Sequence, residues 1–368
     1  MITRLYADNF RCLVNMELPL SESALLVGLS GAGKSSVLDV VFAIRSLLSG
    51  TARVSDENVF PPSSRTRWQQ RSSQIFEVDA KLAGEQFRYR LEVQHEPTEH
   101  RSRIGKETLT VEGRPLFLFE DGEVHLYRDD HSEGPVFPGD WAESPFARLV
   151  PRKEFTRAAR FLDFIRRIVV CKLAPASFEP ESVAEAPILA VDGSNFVSWY
   201  RHMSQEHQEN VPAYLEASRH AVTGFQSIRL ERVGAEARSF KVIVGEDAGR
   251  YEVRLDELSD GQRALLALYA LVHLTKGEGS TLFLDEPDNF VALPEIQPLL
   301  MELSDAAGEG LQQVVLCSHH PGVLDYMGDR GLLLERDVNG ATRVRPLRDL
   351  ATDGTLRLSE VISRGWER

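Results

Sequence analysis

Gly28-Leu29-Ser30-Gly31-Ala32-Gly33-Lys34-Ser35 spells GxxxxGK[ST], a spacing suited to a chain of phosphates. Its glycines let successive backbone N–H groups turn toward one anion, and a helix starting directly after them presents its positive end to the same anion. Lys34 adds a point charge toward β- and γ-phosphates, and Ser35 offers a hydroxyl to Mg2+. A second group, Ser280-Thr281-Leu282-Phe283-Leu284-Asp285-Glu286-Pro287, is an apolar run ending in two acids. Beside a phosphate loop, Asp285 would hold Mg2+ directly or through water, and Glu286 would polarise an attacking water. The plain alternative is a strand followed by a solvated acidic turn. A third group, Leu258-Ser259-Asp260-Gly261-Gln262-Arg263, opens a helix with Ser259 as N-cap and Gly261 leaving amides uncovered. It reads either as a second anion-binding helix start or as an ordinary capped helix. The fourth group is Gln313 to Ser318, an apolar run ending in His319 and His320. A histidine at the end of a parallel strand can reach a γ-phosphate, whereas the plain alternative is a structural pair. The pair lacks the third ligand of a metal site.

These groups need elements to carry them. Ala24 to Gly28 reads as a short buried strand, and Val37, Leu38, Val41, Ile44, Leu47 and Leu48 recur at helical spacing up to Gly50. Residues 51–73 are polar and read as a surface loop. Residues 75–127 alternate like antiparallel sheet: Phe76, Val78, Ala80 and Leu82, then an Ala83-Gly84-Glu85 turn, then Phe87, Tyr89, Leu91 and Val93. Asp121-Gly122 signals a further hairpin. The glycines and prolines of 129–150 predict a loop, and 152–170 predicts a basic amphipathic helix. Residues 174–190 are Pro-rich and acidic, 194–222 read as helical, 226–254 as strands, and an αβ pattern runs from 258 to the end. The expected division is 1–128 (phosphate loop and β lobe), 129–240 (inserted, mostly helical) and 241–368 (the remaining motifs).

The chain has 368 residues with ordinary globular usage and a net charge of −13. An acidic surface excludes wholesale coating of nucleic acid, so DNA contact would need a local basic face. Two basic groups qualify: Arg152, Lys153, Arg157, Arg160, Arg166 and Arg167, and Arg65, Arg67 and Arg71. The alternative for both is a solvated or acid-paired face. Cys12, Cys171 and Cys317 lie far apart, so neither a disulfide framework nor a zinc cluster is expected, and a reducing cytoplasm fits. The N-terminus carries Arg4, Asp8 and Arg11 where a signal peptide needs an apolar run, and no membrane span is expected.

The four groups in this order strongly resemble the ABC-type ATPases, and more narrowly the SMC/RecF/OLD branch. Asn9-Phe10-Arg11 resembles the start of those ATPase heads, Asp285-Glu286-Pro287 and Ser318-His319-His320-Pro321 resemble their DEP and [ST]HxP elements, and Asp192-Gly193-Ser194-Asn195 resembles a DGxN element of OLD-like ATPases. The resemblance implies an α/β ABC-type P-loop NTPase fold with an antiparallel β lobe and an inserted helical region. It implies ATP and Mg2+ as cofactors, with Gly28, Ser30, Gly31, Ala32, Gly33, Lys34, Ser35 and Ser36 binding phosphates and metal. Asp285 is then the Walker B acid, Glu286 the catalytic base and His319 the switch histidine. Ser259, Gly261 and Gln262 would contact ATP held by a second protomer, Arg11 would lie near the nucleotide, and Gln74 is a candidate Mg2+-sensing glutamine, its alternative being a polar strand-start residue.

Three positions depart from the family pattern. Asp260 replaces the first glycine of LSGGQ, Ala292 stands where an interface-crossing Asp is common, and Ser30 stands where Asn is common. The 49 residues after His319 are too few for the TOPRIM domain of OLD nucleases, and Asp129-Asp130-His131 reads as a solvated loop, so no nuclease site is expected. The expectation is therefore an ATP-sandwiched homodimer, Mg-dependent in hydrolysis, acting as the regulatory or motor subunit of a phage-defence system with a separately encoded effector. The second expectation is a DNA-stimulated ATPase of repair or chromosome maintenance. A transporter subunit is disfavoured by residues 51–250 and the Asn9-Phe10-Arg11 start.

Overall fold

The computed structural model describes residues 1–96, 101–246 and 249–349. The last stretch of the αβ pattern expected from 258 to the end, 350–368, lies outside the described residues. The chain divides into two compact units, one comprising Met1–Ile168 and the segment beginning at Asp329, the other Val169–Gly328.

The first unit is built around an antiparallel sheet. In chain order its elements are β1 (Ile2–Asp8), β2 (Met16–Pro19), β3 (Ser23–Val27), α1 (Lys34–Leu48), β4 (Ser73–Leu82), β5 (Glu85–Glu96), β6 (Arg101–Val111), β7 (Arg114–Glu120), β8 (Glu123–Tyr127), β9 (Glu133–Pro138) and α2 (Thr156–Arg166). Eight strands run in the order β2-β1-β4-β5-β6-β7-β8-β9. Alternation decides which face is core: Phe76, Val78, Ala80 and Leu82 on β4, and Phe87, Tyr89, Leu91 and Val93 on β5, are all buried. Ala83-Gly84, Glu112-Gly113 and Asp121-Gly122 each hold two consecutive residues at positive φ, the two-residue hairpin turn that matches strand twist. Phe10, Phe60 and Phe76 pack together at one end of the sheet, and Tyr89, Phe117, Phe146 and Phe161 at another place along it.

Three expectations fail here. The expected loop 129–150 contains β9, an exposed edge strand, and an edge is where a Pro-containing strand is tolerated. The expected helix 152–170 is α2 alone, stopping at Arg166. Ile168-Val169-Val170-Cys171 is β-branched and forms a strand instead. Asp129, read from sequence as solvated, caps that helix: its carboxylate accepts from the backbone N–H of Thr156 (2.9 Å) and Arg157 (3.0 Å).

The second unit holds β10 (Ile168–Cys171), β11 (Glu181–Ser182), α3 (Phe196–Glu206), α4 (Val211–Ala221), β12 (Phe225–Val233), β13 (Ala237–Glu246), β14 (Gly249–Arg254), α5 (Asp260–Leu274), β15 (Thr281–Asp285), α6 (Leu293–Ala306), β16 (Gln313–Cys317) and α7 (Pro321–Met327). The helical stretch 194–222 is thus two helices, with a short turn at Gln208–Asn210 and a proline in the first turn of α4 between them. β15 and β16 pair in parallel, Thr281 opposite Gln313 and Asp285 opposite Cys317. Both are buried at every residue, as continuous apolar runs in a parallel sheet must be.

The chain then returns to the first unit with β17 (Gly331–Arg336) and β18 (Thr342–Pro346). β17 pairs in parallel with β3, which carries the phosphate loop, and antiparallel with β18. No helix among the described residues is long and apolar enough to cross a membrane.

Candidate functional site

In the first unit, β3 ends at Val27 and α1 begins at Lys34, so residues 28–33 form the loop between a buried strand and a helix N-terminus. Close packing requires glycine at two of its positions. A Cβ on Gly28 would lie 2.3 Å from the carbonyl oxygen of Leu334, and one on Gly33 would lie 2.6 Å from Thr342 Oγ1. The loop is fastened from β17 and β18: Arg336 Nε donates to the Gly31 carbonyl (2.7 Å) and Thr342 Oγ1 to the Ala32 carbonyl (2.8 Å). The loop's N–H groups are not used by these two bonds, which take carbonyls only. Lys34 is nearly buried, and its Nζ donates to the Gly28 carbonyl (2.6 Å), folding the ammonium over the loop. Ser30 and Ser35 are exposed, whereas Ser36 is buried with its hydroxyl against Cys12 Sγ.

Arg11 pairs with Asp39 on α1, and its guanidinium lies over the Phe10 ring. Gln74 lies at the start of β4. It is fully buried, with Nε2 donating to the Asn9 carbonyl (2.9 Å) and to Ser64 Oγ (3.2 Å), while Oε1 faces His95 Nε2 (2.8 Å). Every amide atom of Gln74 is engaged in the core, the arrangement of a structural strand-start residue. Burial lowers His95 to about 4, so its ring is neutral, with Nε2 facing Gln74 Oε1 and Nδ1 facing Ser102 Oγ (3.0 Å).

In the second unit, Asp285 ends β15 and is buried, with Lys172 Nζ at 3.5 Å. The next residue, Glu286, turns the chain with φ +48, and its N–H donates to the Cys317 carbonyl (2.8 Å) at the end of β16. Its carboxylate is held at both oxygens: His319 Nδ1 lies 3.3 Å from Oε1, and Asn289 Nδ2 donates to Oε2 (2.8 Å). The two histidines divide their roles. His319 is exposed beside Glu286, whereas His320 Nδ1 accepts from Gly322 N–H (3.1 Å) and caps α7.

Ser259 caps α5. Its Oγ accepts from Gln262 N–H (3.2 Å), while Gln262 Oε1 accepts from Ser259 N–H (3.0 Å). A hydroxyl that accepts in a cap keeps its own proton to donate. Gly261 is required by contact, since a Cβ there would lie 2.7 Å from the Phe290 carbonyl oxygen. Phe290 itself is half-exposed with φ +73.

The DGxN element resolves into a structural turn. Asn195 Oδ1 accepts from Ala190 N–H (2.7 Å), Nδ2 donates to the Ile188 carbonyl (2.9 Å), and Asp192 Oδ1 accepts from Ser194 N–H (2.9 Å). The basic groups are largely engaged too. Arg157 and Arg160 pair with Glu85, Arg166 donates to the Ala147 carbonyl, and Arg71 pairs with Asp8.

Sequence reasoning did not single out Arg336, Thr342, Asn289 or Lys172. Arg336 and Thr342 lie more than 300 positions from the loop they hold, and no local pattern marks such a contact. Asn289 is three residues from Glu286 in a turn, where Asn has many ordinary uses.

The family described as "AAA domain, putative AbiEii toxin, Type IV TA system" matches residues 174–325, less than half of the chain. No curated protein shows significant sequence similarity to the chain. Among solved structures, the SMC head bound to the C-winged helix domain of ScpA superposes with a TM-score of 0.58 at 13% identity, covering 94% of this chain and 97% of that one. An SMC head with an extended coiled coil, bound to the C-terminal domain of ScpA and derived from Pyrococcus furiosus, gives 0.55 at 11% identity, covering 100% and 98%. At such identities the likeness is one of fold, and it extends over nearly the whole chain: the protein has the ABC-type P-loop ATPase fold of SMC head domains.

Proposed function

We propose that the chain binds ATP on residues 28–36 and hydrolyses it with Glu286 as the general base. The observation that carries this reading is the loop 28–33. It joins a buried strand to a helix N-terminus, its close-packed glycines are braced at carbonyls by Arg336 and Thr342, and Lys34 is folded over it. Those two bonds take carbonyls only; Ala32 N–H is spent within the loop on the Leu29 carbonyl (3.0 Å), so the anion would be met by the amides on either side of it. ATP would bring Mg2+, which supplies charge neutralisation at the phosphates; within the first unit the Ser35 hydroxyl, exposed in the first helical turn, is an oxygen donor of the kind that metal takes.

In this reading Glu286 takes a proton from the attacking water. His319 and Asn289 fix its carboxylate, and Lys34 leaves the Gly28 carbonyl to meet the phosphates. Ser259 and the amides around Gly261 serve ATP bound by a second copy, so that nucleotide drives dimerisation and hydrolysis reverses it. Arg11 is assigned to the nucleotide's surroundings; Gln74 is not carried forward as a metal ligand.

For the biological role, the proposal is a regulatory ATPase acting with a separate protein in a cytoplasmic defence module. The matched family's description names a putative toxin of a TA system, and the similar SMC heads are described with ScpA bound, which supports a protein partner. The DNA-stimulated alternative draws little support from arginines that already pair within the chain.

Steady-state hydrolysis of Mg-ATP tests the reading, wild type beside Glu286→Gln, with mass by light scattering in the same samples. Wild type should turn over, and Glu286→Gln should lose at least about a hundredfold in kcat while accumulating an ATP-dependent dimer. Equal turnover in both proteins sinks the assignment of the base. Stimulation by duplex DNA at low salt would favour the alternative role.

A further inference from the structure

Trp68 is a large indole left about half-exposed (48%) in the same unit as the phosphate loop, and the structure spends several bonds on holding it there. From one side the holding is done by Asn9, which is fully buried at φ +61. Its Nδ2 donates to the carbonyls of Arg71 (3.0 Å) and Ser73 (2.8 Å), and its Oδ1 accepts from Thr66 N–H (3.2 Å). One amide therefore shapes the whole segment 66–73 on which Trp68 rides. From the other side it is done by Arg336. The guanidinium lies over the Trp68 ring at 6.0 Å from its centroid, while Nε donates to the Gly31 carbonyl and Nη1 to the Gly340 carbonyl, each at 2.7 Å.

The consequence is geometric. A single arginine bonds to the phosphate loop and stacks on the indole, so ring and loop are fixed relative to each other by one side chain. That arginine takes one face of the ring, and the exposed remainder faces water. Above Gly31 the space is open, since a Cβ built there meets nothing within 4 Å. A flat apolar ring beside an anion-binding loop suits a ligand with a flat ring at one end and phosphates at the other. Aromatic rings stack on any base through its π face, and a guanidinium on the far side adds a cation–π contact.

We propose that Trp68 is the platform on which the base of the bound nucleotide stacks, with Arg336 as the positioning residue that sets the indole relative to the phosphate loop. This rests on residues 28–36 being the nucleotide site. Stacking reads no donor–acceptor pattern, so ATP and GTP gain alike from the platform.

The test compares equilibrium binding of ATP and inorganic tripolyphosphate, each with Mg2+, to the full chain as wild type, Trp68→Ala and Trp68→Phe. Both ligands carry three phosphates, and only ATP carries a base. Trp68→Ala should weaken ATP binding about tenfold or more and leave tripolyphosphate binding within about twofold. Trp68→Phe should recover most of the loss, which separates stacking from a folding defect. The proposal is overturned if Trp68→Ala weakens both ligands equally, since Trp68 would then merely support the loop, or if it weakens neither. If wild type binds both ligands with the same affinity, the phosphate site stands and the base platform falls. If wild type binds neither, the nucleotide reading itself fails and the platform with it.

Discussion

Glu286 is the residue on which the proposed chemistry turns, and its setting is unusual for a glutamate. It sits at φ +48, a region that L-residues with a Cβ enter at a cost, and a backbone bond to the Cys317 carbonyl holds it there. Strain of this kind persists only when the surroundings over-determine it. Here both carboxylate oxygens are also engaged, one by His319 and one by Asn289. A base that must accept a proton from one water gains from having its carboxylate plane fixed. Asn289→Ala frees one oxygen and leaves the backbone turn in place. The expected result is a fall in kcat of about tenfold with KM for ATP little changed, because the interaction orients the base and does not bind substrate. An unchanged kcat would make the Asn289 bond a feature of the turn alone. Gly261 illustrates a different constraint: contact with the Phe290 carbonyl already demands a residue without a Cβ, before any phosphate is considered.

At the scale of elements, local signals were readable wherever one period ruled a segment. β4, β5 and α1 bury the residues that alternation and helical spacing selected. The hairpin at Asp121-Gly122 forms because that dipeptide accepts positive φ at both positions. The phosphate loop was legible for the same reason, since its spacing is set by a strand, a turn and a helix adjacent in sequence. What was not legible came from distant partners. The start of α2 at Thr156, four residues after the expected 152, is set by Asp129, 27 positions upstream, and no local pattern marks such a partner. Its end was missed because a basic amphipathic run flows into Ile168-Val169-Val170-Cys171 without a glycine or proline between. The cap gives a direct prediction. Asp129→Ala leaves the N–H groups of Thr156 and Arg157 without their carboxylate and should destabilise the protein by about 1 kcal/mol. A urea midpoint that falls at unchanged slope is the expected signature, and a midpoint that stays put would mean water replaces the carboxylate at no cost.

Across the whole molecule, two buried groups that no motif marked contribute opposing slopes to the pH dependence of stability. Glu107 is fully buried on β6. One oxygen accepts from Tyr89 Oη (2.8 Å) and Ser144 Oγ (2.6 Å), while Oε2 has no hydrogen-bond partner. Burial outweighs those bonds and raises the carboxyl from its ordinary 4.5 to about 7. An unfolded chain therefore releases this proton at lower pH than the folded one does. The stability Glu107 supplies is fully present below pH 4.5 and is lost as pH rises toward 7, by up to about 3 kcal/mol. His95 acts in the opposite direction: lowered by burial from 6.5 to about 4, it costs stability as pH falls through that range. Between pH 4.5 and 6.5 the two slopes offset, which hides Glu107 in the wild-type curve alone. Comparing wild type with Glu107→Gln at each pH removes the shared His95 contribution. The amide keeps the accepting oxygen toward Tyr89 and Ser144 but cannot ionise. Relative to the variant, wild type should lose stability steadily from pH 5 to 7 and run parallel to it above pH 8. Parallel curves throughout would mean that the buried carboxyl ionises in the folded protein as readily as in the unfolded chain, with water reaching Oε2.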